Sequence, residues 1–374
     1  MSKRINYIDV ARGIGILLVV MGHNDFSLIS PFFHKLIYSF HMPLFFFLSG
    51  YFLNTAIGFW SFVKKRFNGL LKPFFFTIFM IYFFSISFEK MGFANAITRI
   101  VKSLYGTGAY IDWVQLWFLP HLFVVSIYAY LFYKTVGRID NRWIRWLILL
   151  ITLFVASLFL KSFYPFTIAL LGKSFSLLGL PFSLDLVLLS GFFFILGSET
   201  RSLDMEKLYG NVPFLLITGT ALVLMNIFLS PTIDLNTRVY DSFIVSTLEA
   251  IAGILFIMAL SRQVDLHTSK LSNMFQYIGR ITLIILILHG PIQDFWGQKI
   301  LALTQNQVLS YWLAFAMGVL GPIMLFELFV RSNPIASFWL GREAEPPRQK
   351  HPRAEAAPLD LPEGQKVSDK PVVQ

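Results

Sequence analysis

Long apolar segments follow one another along most of this chain, and they constrain its fold more than any other feature. About ten are long enough to cross a hydrocarbon layer of ~30 Å as helices. They run approximately over 8–26, 36–54, 69–88, 114–133, 143–160, 181–199, 212–230, 242–260, 278–298 and 308–330. The stretch 161–180 is only semi-apolar and fits a re-entrant or interfacial piece, which leaves a range of about nine to eleven spans. The pattern predicts an all-α integral membrane protein, a bundle of about ten transmembrane helices.

The composition excludes several other classes of protein. The chain is 56% hydrophobic and 14% charged, whereas soluble domains carry about 25% charged residues. It has no cysteine, so a disulfide framework, a thiolate metal site and a cysteine nucleophile are all excluded. The net charge of +10 arises in short clusters between apolar runs, which indicates a lipid bilayer rather than nucleic acid as the partner.

The loops and the carboxyl end give the topology. Lysine and arginine are more frequent at the amino end and in the even-numbered loops than in the odd-numbered loops, which predicts that both termini are cytoplasmic. After Gly341 the chain becomes rich in proline and charge and has no aromatic residue. We therefore predict a membrane domain over residues 1–340 and a disordered cytoplasmic tail over 341–374.

The first apolar segment carries an unusual set of polar residues. Arg12 and His23 are eleven residues apart, so on a helix they share a face, roughly 16 Å apart along the axis. Asp9 lies three residues before Arg12 and is placed to form an ion pair with it. Asp25, with Asn24, is placed to orient the imidazole. Two structural interpretations stay open: Arg12 as a snorkelling anchor, and His23 as a helix-end residue bonded to a carbonyl.

The second segment contains Phe40-His41-Met42-Pro43-Leu44-Phe45-Phe46-Phe47-Leu48-Ser49-Gly50. Pro43 predicts a kink that frees a carbonyl near His41. His41 is then either bonded to that kink or part of the lining of a site. Ser49, next to Gly50, suits a helix–helix contact. A nucleophilic role for Ser49 has no supporting spacing of serine, histidine and acid.

The third segment begins after a basic cluster. Lys64, Lys65 and Arg66 are followed by Lys72 inside the apolar run. Such residues are commonly topology anchors, but an ammonium group at this depth requires a partner. A polyphosphate anion at the cytoplasmic face would satisfy Arg12, Arg66 and Lys72 together.

These motifs carry a family resemblance. The opening Asp9-Val-Ala-Arg-Gly, the Arg12 to His23 spacing and the segment Phe40 to Phe52 resemble the membrane acyltransferase-3 family, and within it the branch related to fucose 4-O-acetylase. Leu116-Trp117-Phe118-Leu119-Pro120 and Leu288-His289-Gly290-Pro291 are similar to later family motifs. The family often has arginines spaced three apart before the third span. Here only Lys64, Lys65, Arg66 and Lys72 occupy that region.

The resemblance implies an enzyme of the bacterial inner (cell) membrane that transfers an acyl group, most commonly acetyl from acetyl-CoA, to a hydroxyl of a carbohydrate or glycolipid acceptor. It makes His23 and Arg12 the candidate catalytic residues. CoA would then be the polyphosphate anion that Arg12, Arg66 and Lys72 bind, while the resemblance leaves open which basic residue before the third span replaces the family's arginines. An imidazole titrates near 6.5, so His23 can act as a general base at neutral pH. Further candidates are Asp9, Asp25, His41, Ser49, Trp117 and His289. The histidines show no ligand spacing, so no metal is predicted.

Two other functions fit part of the pattern. A transporter or flippase for a glycan or acyl group would also bury charged residues but would form no acyl product. A structural or assembly protein would tolerate loss of Arg12 and His23. The chain shows no internal repeat, and many transporters are built from such repeats. The sequence assigns no oligomeric state.

Overall fold

A computed structural model of the chain describes residues 5–23, 26–170, 172–203 and 205–341. The tail predicted over 341–374 therefore lies, apart from Gly341, outside the described residues, as does Asp25.

Helices form most of this structure, and the predicted all-α architecture is confirmed. The α-helices are α1 Asn6–Gly22, α2 Phe26–Ile29, α3 Pro31–Tyr38, α4 His41–Gly50, α5 Phe59–Arg66, α6 Lys72–Phe88, α7 Phe93–Leu104, α8 Phe118–Lys134, α9 Arg142–Leu158, α10 Val187–Arg201, α11 Glu206–Tyr209, α12 Val212–Phe228, α13 Phe243–His267, α14 Ser269–Arg280, α15 Thr282–Thr304, α16 Gln307–Leu325 and α17 Pro334–Trp339. Short 3₁₀ segments are Gly108–Tyr110, Val114–Trp117, Val136–Arg138 and Pro181–Leu186, and π-helical turns are Phe67–Leu71 and Phe326–Val330.

Two small antiparallel hairpins complete the described structure. One consists of β1 Phe166–Leu170 and β2 Lys173–Leu177, and the other of β3 Ile233–Asp234 and β4 Val239–Tyr240. The first hairpin occupies the semi-apolar stretch 161–180, for which the sequence predicted a re-entrant or interfacial piece.

Several helix starts are set by the residue just before them. The side chains of Asn141, Asn211, Ser242 and Asn306 accept hydrogen bonds from backbone N–H groups in the first turns of α9, α12, α13 and α16. Such caps satisfy donors that the helix leaves without partners. They place these helix starts where polar residues interrupt the apolar segments.

The number of spans differs from the sequence estimate. Five helical stretches in the described residues are long and apolar enough to cross a bilayer: Phe59–Phe88, Val114–Arg138, Pro181–Arg201, Phe243–His267 and Gln307–Val330. The pair α14 and α15, bent by 78°, would make a sixth. Other predicted spans are helices of 17 residues, such as α1, α9 and α12, each about 25 Å long. The count of ten is therefore not confirmed.

The second predicted span is broken rather than kinked. Helix α3 ends at Tyr38 and α4 begins at His41, so Pro43 lies in the first turn of a new helix, where a missing N–H costs little. The Ile37 carbonyl near the break accepts a hydrogen bond from Nδ1 of His41.

Helix α1 lies at the centre of the bundle and packs against α4, α13, α14, α15 and α16. A side chain at Gly13 would collide with the backbone of Phe275 in α14, and one at Gly279 with the backbone of Asp9. Glycine therefore lets these two backbones touch. Two regions of α1 are named below: the Arg12 end, which is the part around Arg12, and the His23 end, where the helix stops at Gly22 just before His23.

Candidate active site

His23 lines a cavity of about 270 Å³ at the His23 end of α1. The polar side chains on its wall are His23, Tyr38, His41, Gln115, Asp234, Asn236 and Thr282, and Trp117, Phe45 and Phe118 supply much of the apolar wall. A largely apolar cavity with a few convergent polar groups is typical of a small-molecule site.

The end of α1 is held by side chains from neighbouring helices. Helix α1 ends at Gly22, so its last carbonyls have no partner within the helix. Nε2 of Gln293 donates to the Val20 carbonyl at 3.0 Å, and the Tyr311 hydroxyl donates to the Met21 carbonyl at 2.7 Å. These two bonds fix the backbone that carries His23. Neither residue was predicted from the sequence, in which each is a polar residue inside an apolar segment.

Two further histidines lie next to His23. The ring centres of His23 and His289 are 5.1 Å apart. Nδ1 of His289 donates to the Ile285 carbonyl at 2.8 Å. The sequence left two roles open for His41, and the structure shows both: Nδ1 donates to the Ile37 carbonyl at 3.0 Å while the residue lines the cavity.

Trp117 belongs to a segment that docks against a proline in α15. Pro291 has no N–H, which leaves the Ile287 carbonyl without its helical partner. Nε2 of Gln115 donates to that carbonyl at 3.2 Å. This bond presents Gln115 and Trp117 to the cavity. Trp117 also stacks on His121, with ring centres 5.4 Å apart.

The β3–β4 hairpin supplies Asp234 and Asn236, which the sequence analysis did not predict. It is anchored by Arg238, whose side chain is fully buried and bonds to Asp185 through Nε at 2.8 Å and through Nη2 at 3.1 Å. Oδ1 of Asp234 accepts hydrogen bonds from the backbone N–H groups of Asn236 and Thr237. Asp234 lines the same cavity as His23.

A second cavity, of about 300 Å³, lies near Arg12, which contacts the ring of Phe52 on its wall but does not itself line it. Phe52, Asn54, Phe62, Lys65 and Arg66 are among its lining residues. The Arg12 guanidinium lies over the Phe52 ring, 4.7 Å from its centre, and 3.8 Å from the Asp9 carboxylate. The predicted ion pair of Arg12 and Asp9 is thus present. Arg12 and Arg66 are close enough to repel each other, so an anion would be favoured here.

The remaining predicted residues lie elsewhere. The Lys72 ammonium lies 3.7 Å from the centre of the Phe338 ring, and Lys72 is not among the residues that line the second cavity. Ser49 is not part of the lining of either cavity. Its neighbour Gly50 makes close backbone contact with Phe194 in α10, which fits the predicted helix–helix contact. No group of three or more metal-ligating side chains occurs in 5–23, 26–170, 172–203 or 205–341.

Residues 5–327 match a family model described as an acyltransferase domain, known as acyltransferase-3. No curated protein and no solved structure matches the chain.

Proposed function

The chain belongs to the membrane acyltransferase-3 family, and we propose that it transfers an acetyl group from acetyl-CoA to a hydroxyl of a cell-surface or precursor sugar. The observation that carries this proposal is the position of His23. It stands at the end of a central helix, on the wall of a cavity that also contains an aromatic ring and several hydrogen-bonding side chains. The relation to the fucose 4-O-acetylase branch stays a prediction.

The acyl donor is proposed to enter from the Arg12 end. Two guanidinium groups that repel each other gain from a bound polyphosphate, and Arg12 and Arg66 form such a pair. Lys72, which the sequence predicted as a third cation, would have to leave Phe338 to join them. Roughly 16 Å of helix separates Arg12 from His23, and the extended arm of CoA between its phosphates and its thioester is of comparable length.

Helix α4 runs beside this path. Its residues Met42 and Phe45 line the His23 cavity, while Phe52, just after its end, lines the other cavity. The lysine and arginine distribution supports a cytoplasmic Arg12 end and both termini in the cytoplasm. The bacterial inner membrane location is proposed from the family alone.

The chemistry requires one proton transfer at His23. An unprotonated nitrogen of His23 removes the proton from the acceptor hydroxyl as the oxygen attacks the thioester carbonyl carbon. The tetrahedral intermediate then expels the CoA thiolate, and the proton held on His23 goes to that sulfur. An ester and free CoA result, and His23 regains its starting state. The donors on the cavity wall, such as the Tyr38 hydroxyl and the Asn236 amide, are placed to bind the acceptor or the developing oxyanion.

The acceptor site is proposed at the same cavity. Trp117 offers an aromatic surface, and Gln115, Asp234 and Asn236 offer hydrogen-bonding groups, a combination that suits a carbohydrate or the sugar of a glycolipid. A transporter or flippase would use a similar cavity but would leave the mass of the transported molecule unchanged.

The test is mass spectrometry of cell-surface glycans from cells that carry the intact gene, a null allele, His23→Gln or His267→Gln. His267 is an exposed histidine outside both cavities, so it is a matched control. We expect an acyl mass increment with the intact gene and with His267→Gln, and its loss with the null allele and with His23→Gln at unchanged protein level. Glycans of the same mass with and without the gene would contradict the proposal and favour a transporter or an assembly protein.

A further inference from the structure

His289 has a buried nitrogen atom with no hydrogen-bond partner. The residue is fully buried in α15. Its Nδ1 lies 2.8 Å from the Ile285 carbonyl, and because a carbonyl only accepts, Nδ1 must carry the ring proton. Nε2 is then an acceptor, and it has no partner among the described residues. Most buried polar atoms are hydrogen-bonded, so an exception requires a physical explanation.

The nearest ring is that of His23. The two ring centres are 5.1 Å apart, with the planes tilted by 49°. Two imidazoles joined by an N–H···N bond of about 2.9 Å have their centres at a similar separation. No hydrogen bond in the described part of the chain engages the ring nitrogens of His23. The separation of the two rings therefore allows such a bond.

The surrounding structure keeps the two rings together. Gln293, four residues after His289 in α15, donates to the Val20 carbonyl near the end of α1. Gln115 donates to the Ile287 carbonyl in α15, which Pro291 leaves without a helical partner. The bond from Gln293 ties the backbones that carry His23 and His289 to each other, and the bond from Gln115 holds the part of α15 just before His289.

We propose that His289 is a positioning residue whose Nε2 accepts a hydrogen bond from one ring nitrogen of His23. The bond fixes the tautomer of His23 and leaves its other nitrogen unprotonated and directed to the cavity. This inference rests on the proposed role of His23 as the general base. A neighbour that bonds one nitrogen of a histidine decides which nitrogen is the base.

Other polar groups near His23 are already engaged or differ in chemistry. His41 also has Nδ1 bonded to a carbonyl, that of Ile37, but its Nε2 is not among the fully buried atoms that lack a partner, whereas Nε2 of His289 is. Oδ1 of Asp234 is bonded to its own turn. His34 is stacked on Tyr38, with ring centres 4.2 Å apart. Nε2 of His289 is the fully buried acceptor in this group.

A pair of substitutions separates the two nitrogen atoms of His289. Glutamine places an acceptor oxygen near the position of Nε2, so His289→Gln keeps the proposed bond to His23. Asparagine places an amide N–H near the position of Nδ1, so His289→Asn keeps the bond to Ile285 and loses the acceptor. We expect kcat of His289→Gln to stay within roughly tenfold of wild type and kcat of His289→Asn to fall by on the order of 10²-fold, each with an unchanged KM for the acyl donor.

Nitrogen NMR of ¹⁵N-histidine-labelled protein supplies a readout that a purely structural role would not change. In wild type, His23 should show a single protonated nitrogen, and in His289→Asn it should show a mixture of tautomers. A mixture in wild type, or equal activity of the Asn and Gln variants, would overturn the proposal even if His23→Gln is inactive. If His23→Gln is itself active, the proposed function fails first, which distinguishes the two failures.

Discussion

At the scale of single residues, Arg12 of α1 and Arg66 of α5 lie close enough to repel each other. Arg12 is paired with Asp9 and lies over Phe52, and Arg66 lies over Phe62 at 5.2 Å. Each guanidinium therefore has a local partner, yet their mutual repulsion persists. Two cations placed so close together favour a bound anion.

Replacing either arginine should weaken donor binding. Arg12→Gln and Arg66→Gln remove a charged hydrogen-bond donor, a loss of about 1.5–3 kcal/mol, so each should raise KM for acetyl-CoA by on the order of tenfold or more. Because Arg66→Gln also relieves the repulsion, it should leave the unfolding temperature unchanged or higher. Steady-state kinetics in nanodiscs and thermal unfolding measure the two effects.

Two lysines complete this series. Lys64 is exposed and does not line the second cavity, so Lys64→Gln is the matched control and should not change KM. Lys72→Gln tests the third predicted cation: a rise in KM comparable to that of Arg66→Gln would show that Lys72 joins the donor site. Unchanged kinetics in both arginine variants would make those residues topology anchors.

Sequence spacing could predict only contacts within one helix. Asp9 and Arg12 are three residues apart, and their ion pair follows from helix geometry. Asp234 lies far from His23 in the sequence, in a short loop between apolar segments, so no periodicity relates the two. The contacts of Gln115 and Gln293 could not be predicted from spacing either. Each side chain bonds to a backbone carbonyl on another helix that has no partner within that helix.

At the scale of elements, the β3–β4 hairpin depends on one buried ion pair. Arg238 and Asp185 are both fully buried, and Arg238 also donates to the Asn236 carbonyl at 2.7 Å. The hairpin carries Asp234 and Asn236 to the cavity. The ion pair of Arg238 and Asp185 thus connects the 3₁₀ segment before α10 to the wall of the proposed acceptor site.

Arg238→Met should be strongly destabilising, because it leaves the Asp185 carboxylate buried without its cation, a cost of about 3–5 kcal/mol. Arg99→Met is the matched control, since Arg99 and Asp112 form an ion pair with side chains 53% and 41% exposed, where about 0–1 kcal/mol is expected. Thermal unfolding in detergent compares them. Protein that remains folded should show a raised KM for the acceptor and an unchanged KM for the donor. Equal unfolding temperatures for the two variants would contradict this role of the pair.

The break between α3 and α4 shows that a proline in the sequence does not by itself locate where a helix ends. The sequence predicted a kink at Pro43, and the chain instead starts a new helix at His41. Proline is well tolerated in a first turn. Phe40, at the break, packs against Gly253 of α13, a distant contact that sequence patterns do not reveal.

At the scale of the whole molecule, apolar composition predicted the class of protein but not the number of spans. Apolar runs show which segments avoid water. Where a helix starts and ends also depends on caps such as Asn211 and on packing partners such as the α14 glycine that meets α1. Helix α1, for example, has 17 residues and is shorter than the apolar segment 8–26 predicted for it.

The central claim is that one membrane domain brings an acyl donor held at the Arg12 end to a base at the His23 end. The most direct measurement uses purified protein in nanodiscs with acetyl-CoA labelled in its acetyl group and a glycolipid extract as acceptor. Mass spectrometry follows the label into ester product, and equilibrium binding of acetyl-CoA is measured on the same samples. We predict labelled ester with wild type, and with His23→Gln a loss of on the order of 10²–10⁴-fold in rate at unchanged acetyl-CoA affinity. Labelled ester formed by His23→Gln at the wild-type rate would contradict the account.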